Sequence, residues 1–336
     1  MIQFERVSAP DVPWADLDAA PDRTHCQTRG WLDFLAETQG AEPVVARVLD
    51  GSRPIGWFTG AIVRRAGLKI LGSPMRGWTT SAMGFNLAPG ADRSAALAGL
   101  PRFAFKTLGC IHLEVSDRNL ASDRDVPDGF RSTRIDGYEL ELATDDELLA
   151  NMTKSGRRNI RTGRRNGIVV EAIDPLQPGD FAEVFYDQVS EAFAKRGLAP
   201  TYPVDRVHAL IRHLGPTGTM LLMRALTPDG TPAATRISFG LPGRAAESFL
   251  GASYRSSQSL YPNEILMWAT MQEWRERGAV QFGFGGGGAY KAKYGGVPHA
   301  LPWLRMSRFE TLEVVRTAAL RLHRRRQWLD RRHRGP

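Results

Sequence analysis

Two periodicities run along this chain, and the switches between them outline its elements. Residues 31–40 (WLDFLAETQG) carry apolar side chains at helical spacing and end on Gly40, which predicts a short helix. Residues 44–49 (VVARVL) read as a strand. Asp50-Gly51 then turns the chain, and residues 55–63 return as a second strand, since Asp-Gly between apolar runs favours a hairpin. Residues 68–72 (LKILG) supply a third strand. Residues 92–108 look helical, although Pro101 must kink or break them. Gly109 leads into CIHLEV, an alternating strand.

The same order recurs further on. Residues 204–215 (VDRVHALIRHLG) predict a helix ending at Gly215, and MLLMRAL a strand. Asp229-Gly230 turns the chain, AATRISFG returns, and AAESFLGAS adds a third strand. NEILMWATMQEWRERG predicts a helix closed by Gly278, with AVQFGF as the strand after it. The pattern therefore predicts an α/β (α+β) chain of two tandem lobes, each a mixed, mainly antiparallel sheet flanked by helices. Lobes over 1–140 and 141–310 and a basic helical tail over 311–336 are expected.

Near the join, Thr144 to Glu147 (TDDE) has the form of a capping box. A further helix starts at Asp180, with Phe181, Val184, Phe185, Val189, Ala192 and Phe193 as its buried stripe and Gly197 at its end. The two cysteines, Cys26 and Cys110, match no metal or redox spacing and read as buried thiols. No apolar run reaches a membrane span, and the N-terminus lacks the pattern of a signal peptide, so a cytoplasmic protein is expected.

Charge changes this picture. The 44 basic and 36 acidic residues leave a net +8, but the excess is concentrated. Residues 153–165 (TKSGRRNIRTGRR) hold six Lys/Arg and no acid, and residues 316–336 hold eight Arg and one acid. Such local charge suits an anionic partner: a phosphate, a nucleic-acid backbone or a membrane surface. Arg157, Arg158 and Arg161 would share a face if residues 145–165 formed one helix, and they are the expected anion binders. Gly156 and Gly163 weaken that helix and are expected to let it adjust to a ligand. Leu320, Leu322, Trp328 and Leu329 give the tail an apolar side, for peripheral contact with the inner membrane.

The common catalytic signatures are absent: no Walker loop, no G-x-S-x-G, no H-E-x-x-H and no His/Cys cluster. One glycine run stands out, Phe282 to Gly288 (FGFGGGG), followed by AYKAKYGG. Its glycines, Gly286 among them, allow the backbone to approach a ligand closely.

The stretch from Leu250 to Gly296, together with TKSGRRNIRTGRRNGIVVEAI and the segment from Cys26 to Trp31, resembles the FemAB-like branch of the GNAT acyltransferase superfamily, over about residues 25–305. The resemblance implies paired GNAT lobes. It also implies transfer of an acyl or aminoacyl group from acyl-CoA or aminoacyl-tRNA to an amine, in cell-envelope, exopolysaccharide or peptide-metabolite biosynthesis. No tightly bound cofactor and no metal are implied. The family's Lys-x-x-aromatic-Gly motif falls on Lys291, Tyr294 and Gly295. It implies that Lys291 stabilises the oxyanion formed as an amine attacks an ester or thioester. The family's Arg-Gly falls on Arg196-Gly197. Tyr254 and the Tyr261-Pro262-Asn263 step fall at the cleft wall, with Tyr254 or Tyr261 as proton carriers.

Two features depart from the family pattern. Gly283 stands where many relatives carry an acid before the glycine run, which leaves the general base unassigned. RSSQSLYPNE lacks the glycine-containing loop with which ordinary GNATs cradle the CoA pyrophosphate. The acceptor is expected to be an amine, phosphate- or lipid-linked, with tRNA as a further partner. The rival reading is a non-catalytic module binding nucleic acid or an anionic polymer. Catalysis requires Lys291 to face a cleft between the lobes; pure binding places it in open solvent.

Overall fold

The computed structural model describes residues 1–120, 125–195 and 197–312. Its first half contains β1 (Ile2–Val7), α1 (Trp14–Ala19), α2 (Arg29–Gln39), β2 (Glu42–Asp50), β3 (Arg53–Arg65), β4 (Leu68–Ser73), β5 (Gly84–Leu87), α3 (Arg93–Arg102) and β6 (His112–Val115). There follow β7 (Arg131–Glu141), α4 (Asp145–Asn151), α5 (Lys154–Arg165), β8 (Val169–Ile173), α6 (Phe181–Ala194) and α7 (Val204–Leu214). The last elements are β9 (Met220–Leu226), β10 (Pro232–Gly240), β11 (Ala245–Ser253), α8 (Pro262–Glu276), β12 (Gln281–Gly286) and β13 (Val297–Ser307). The arginine-rich tail beyond residue 312 lies outside the described residues, as does Arg196.

The two hairpins occupy equivalent places. β2 and β3 pair antiparallel across Asp50-Gly51, and β9 and β10 pair antiparallel across the turn at Asp229-Gly230. Both turn glycines have positive φ. In each half the next strand, β4 or β11, is followed by a helix and then by a parallel neighbour, β6 or β12. The repeated order read from the sequence is thus a repeated topology.

Both repeats belong to one 13-stranded sheet, ordered β1-β2-β3-β4-β6-β13-β7-β12-β11-β10-β9-β8, with β5 on β3. The central strand is β13, and its prolines hid it from a sequence reading, because proline cannot donate to a ladder. Its pairing resolves the conflict. β13 pairs with β7 from Val297 to Arg305, but with β6 only from Leu304 to Ser307. Pro298 and Pro302 therefore lie where only one side of the strand is occupied.

A shared core reinforces the join. Trp31, Phe34 and Leu35 of α2 bury against Phe181 and Phe185 of α6 and Leu210 of α7. Gly30 permits the close approach of α2 to α7, since a methyl there would lie 2.6 Å from the His213 carbonyl oxygen. α6 carries the expected stripe except at Ala192, which is exposed. α7 ends at Leu214 with Gly215 as its C-cap, as expected; Gly215 keeps helical angles and opens a 3-10 turn that Gly218, at φ 71°, closes.

The basic segment is not one helix. The capping box at Thr144 and Glu147 starts α4 as expected, but the chain breaks at Met152, and Thr153 caps a separate α5. Arg157 Nη1 folds back to the carbonyls of Leu149, Ala150 and Met152, at 2.9, 3.2 and 2.5 Å. Arg157 is therefore the C-terminal cap of α4 rather than a free anion binder, while Arg158 and Arg161 are exposed. Gly156 and Gly163 are also not loosening points. A methyl at Gly156 would lie 2.4 Å from the Lys293 carbonyl oxygen, and one at Gly163 would lie 2.6 Å from Ile265. These glycines seat α5 on residues 289–294 and on α8.

Helix propensity alone would make Gly156→Ala stabilising by roughly 1 kcal/mol. The backbone clash outweighs this gain, so the substitution lowers stability by about 1–3 kcal/mol in chemical denaturation. A stabilised variant would show that α5 is not seated as described.

Candidate active site

Parallel pairing of β11 and β12 lasts for three residues, Ala245 to Glu247, before the strands part. On β11, a bulge next to Ser248 inserts Phe249 into the register with β10. Three consecutive residues, Glu247, Ser248 and Phe249, consequently line one cleft, which a regular strand would not allow. The cleft measures about 260 Å³ and draws on both halves: His25, Trp31 and Thr79 to Ser81 from the first, with Gly283, Gly285 and Gly286 opposite. A second chamber of about 230 Å³ shares the lining residues His25, Ser81, Arg118 and Glu247 with it.

Two carboxylates face this junction. Glu247 is in register with Gly283, which is in register with Glu139 of β7. Residues directly opposite share a face of a sheet, so Gly283 is a gap between two acids. A methyl at 283 would already lie 3.5 Å from Glu247 Cγ. An acid absent from β12 is thus present on each neighbouring strand, and Glu247, which the sequence did not single out, is a candidate for the unassigned base. Only register reveals it.

The two acids differ in their partners. Glu139 accepts from Arg118 at 2.5 Å and lies 3.3 Å from His299 Nδ1. Glu247 accepts a hydrogen bond of 2.6 Å from the Ser81 hydroxyl of the first half. Burial pushes the Glu247 carboxyl above the usual carboxylate range; the Ser81 hydrogen bond, Arg118 and Lys291 oppose that rise, and Glu139 adds to it. A carboxylate so raised accepts a proton more readily than an exposed one.

Lys291 does not point into open solvent. It is 6% exposed, and its Nζ donates to the carbonyls of Gly285 and Gly286 at 3.0 and 2.8 Å. Both glycines line the cleft but Lys291 itself does not, so the ammonium sits behind the cleft wall, neither in open solvent nor facing the cleft as expected of a catalytic lysine. Its pKa is lowered, first by burial and then by Arg236, with Glu247 opposing. Residues 289–294 form a 3-10 helix rather than an extended strand. Lys293 therefore has its own place, 2.7 Å from Glu264 of α8, and its replacement would leave that acid unpaired.

Other expected site residues lie elsewhere. Tyr254 donates to Asp187 at 2.8 Å, which helps push its phenol up to about 12, though burial contributes most. Asn263 donates to Ser253 at 2.6 Å, and Tyr261 caps α8 in a left-handed conformation. None of the three lines the cleft. Tyr294 is 2% exposed and stacks on Phe284 at 6.0 Å, so it is core and has no face for a substrate.

Residues 150–294 match the acetyltransferase (GNAT) domain family. Over most of the chain the fold is similar to that of FemX, at 13% identity, with 89% of this chain and 96% of that one covered and a TM-score of 0.71. A conserved protein of unknown function from Bacteroides thetaiotaomicron is similar at 12% identity, covering 92% and 100%, with a TM-score of 0.60. A tandem GNAT protein from the clavulanic acid biosynthesis pathway is similar at 13% identity, covering 91% and 98%, with a TM-score of 0.54. No curated protein sequence matches the chain. The tandem GNAT architecture and the acyltransferase class expected from the sequence are thereby established. No helix among the described residues is long and apolar enough to cross a membrane.

His25, which like Glu247 lines both chambers, gives a separate test of this region. Burial, with Arg118 second, holds its pKa down to about 3. The unfolded chain, at about 6.5, therefore takes up the proton first. Stability is complete above pH 6.5 and is lost as pH falls toward 3. Between pH 7 and 5 the wild type loses roughly 2 kcal/mol more than His25→Phe in denaturant titrations. Equal losses would show that His25 titrates normally.

Proposed function

We propose that this chain, with its GNAT acetyltransferase-type domain, joins an activated acyl or aminoacyl group to an amine in the cleft at Glu247. The observation that carries the reading is a carboxylate of raised pKa held by a hydroxyl from the opposite half, in the wall shared by two chambers. Donor and acceptor enter by different chambers and meet at Glu247, which supplies the proximity that amide formation requires.

The amine nitrogen attacks the acyl carbonyl and forms the new C–N bond. Glu247 takes the proton that nitrogen sheds. The tetrahedral oxyanion then collapses, the bond from carbon to the leaving oxygen or sulfur breaks, and the leaving group receives that proton. Lys291 has three N–H donors and spends two on Gly285 and Gly286. Its charge acts on the oxyanion from beneath the glycine strand. Arg158 and Arg161, on a helix seated against residues 289–294, hold the phosphate-bearing part of a substrate such as tRNA or a lipid-linked acceptor.

The turn after β11 bears on the donor. Residues 255–260 form a 3-10 helix in which the Ser257 amide donates to the Tyr254 carbonyl and the Arg255 amide is taken by the Glu191 carboxylate at 2.8 Å. An acid in that place disfavours the pyrophosphate of CoA, which supports an aminoacyl ester as donor.

Mass spectrometry of products from the full-length protein, with aminoacyl-tRNA or acyl-CoA and a panel of amines, tests the reaction. In the active combination, Glu247→Gln lowers kcat about 100- to 10,000-fold and removes the acid limb of the pH profile. That limb lies above the ordinary carboxylate range, activity falling as pH drops through it. Lys291→Met lowers kcat about 100- to 1000-fold with KM little changed. Near-wild-type turnover by folded Glu247→Gln would overturn the reading.

A further inference from the structure

Arg236 of β10 is a buried cation without a counter-ion. It is 7% exposed, and no carboxylate lies within salt-bridge distance of it among the described residues. Its Nη1 donates to Ser248 Oγ at 2.7 Å, and its Nε has no acceptor at all. Removing a guanidinium from water without a partner charge is costly, so its retention calls for a reason.

The surrounding chain is arranged to admit this side chain. Arg236 is in register with Gly251 on β11, and a methyl at Gly251 would lie 2.7 Å from the guanidinium carbon. The missing side chain lets Arg236 lie across β11 and reach Ser248, a residue of the cleft lining. The next strand parts from β11 at this level. There Gly285 approaches the Ser248 carbonyl, and Lys291 holds the Gly285 carbonyl from below. Arg236 acts on Lys291 strongly enough to depress its pKa. Neither cation is itself in the cleft lining: both lie behind one stretch of the cleft wall and hold its Ser248, Gly285 and Gly286, with Glu247 as the nearby acid.

We propose that Arg236, with Ser248 and Lys291, forms an oxyanion subsite in the floor of the cleft, taking a carboxylate or phosphoryl group carried by the substrate. An oxyanion there would accept charge-assisted hydrogen bonds from the guanidinium and supply the absent counter-charge. The proposal rests on the cleft being the substrate site and narrows the substrate to one with an anionic group near its reacting centre.

Thermal unfolding of the full-length protein tests this without a turnover assay. Inorganic phosphate, glycine and glycinamide are compared at ionic strength matched with sodium chloride. Phosphate or glycine raises the wild-type Tm by about 2–5 °C, and glycinamide, lacking the carboxylate, does not. A rise with phosphate alone assigns a phosphoryl group, and a rise with glycine assigns a carboxylate. Arg236→Met, relieved of a buried charge, keeps or raises its ligand-free Tm and loses the ligand-induced rise. Gly251→Ala displaces the guanidinium and loses the rise too. The proposal is overturned if no oxyanion exceeds chloride, if either variant keeps the full rise, or if Arg236→Met alone is strongly destabilised. Such a failure leaves the acyl-transfer reading intact, because the Glu247→Gln kinetics report on that separately.

Discussion

Strand β13 has β6 on one side and β7 on the other, and the geometry of the site follows from that position. A cleft between two independent lobes would widen and narrow with their relative motion. Here the lobes share one ladder of hydrogen bonds and one apolar core, in which Trp31 of α2 meets Phe239 of β10 at 5.0 Å. The hydroxyl of Ser81 is therefore presented to Glu247 by a common framework, and Trp31 and His25 line the same cleft. Preorganisation of this kind lets a weakly solvated carboxylate keep one defined partner.

The sheet also explains how charge is concentrated in the site. Glycines at 251 on β11 and at 283 and 285 on β12 remove side chains around the cleft. Arg236 from the neighbouring strand fills the space left at Gly251, Glu247 lies beside Gly283, and the Lys291 ammonium holds the Gly285 carbonyl. Each group is partly deprived of water, and each is shifted in the direction that burial dictates. A glycine-rich strand here is a device for packing ionic side chains rather than a flexible turn.

Local signals in the sequence carried most of the fold. The Asp-Gly turns, the capping box at Thr144 and the helix-closing glycines at 40 and 278 depend on neighbours in sequence, and each appears where expected. The site was legible only in part. Lys291 and Gly286 stood out because a glycine run beside a lysine is a local pattern. Glu247 could not be read, because its significance comes from lying opposite Gly283 on another strand. Tyr294 belongs to the core and Arg157 to a helix cap for the same reason: aromatic and basic residues are recruited for packing and capping as readily as for binding. β13 escaped notice because its two prolines deny a strand unless one edge is known to be open.

The central claim is that both halves together hold Glu247 as a base of raised pKa. Its titration can be followed directly by NMR of carboxyl-labelled protein, in the wild type and in Ser81→Ala. The Ser81 hydroxyl favours the ionised form, so its loss must raise the value further. The account predicts a wild-type Glu247 pKa above the ordinary glutamate range of about 4.3, moving upward again in Ser81→Ala. An ordinary value, unmoved by removal of the hydroxyl, would contradict it.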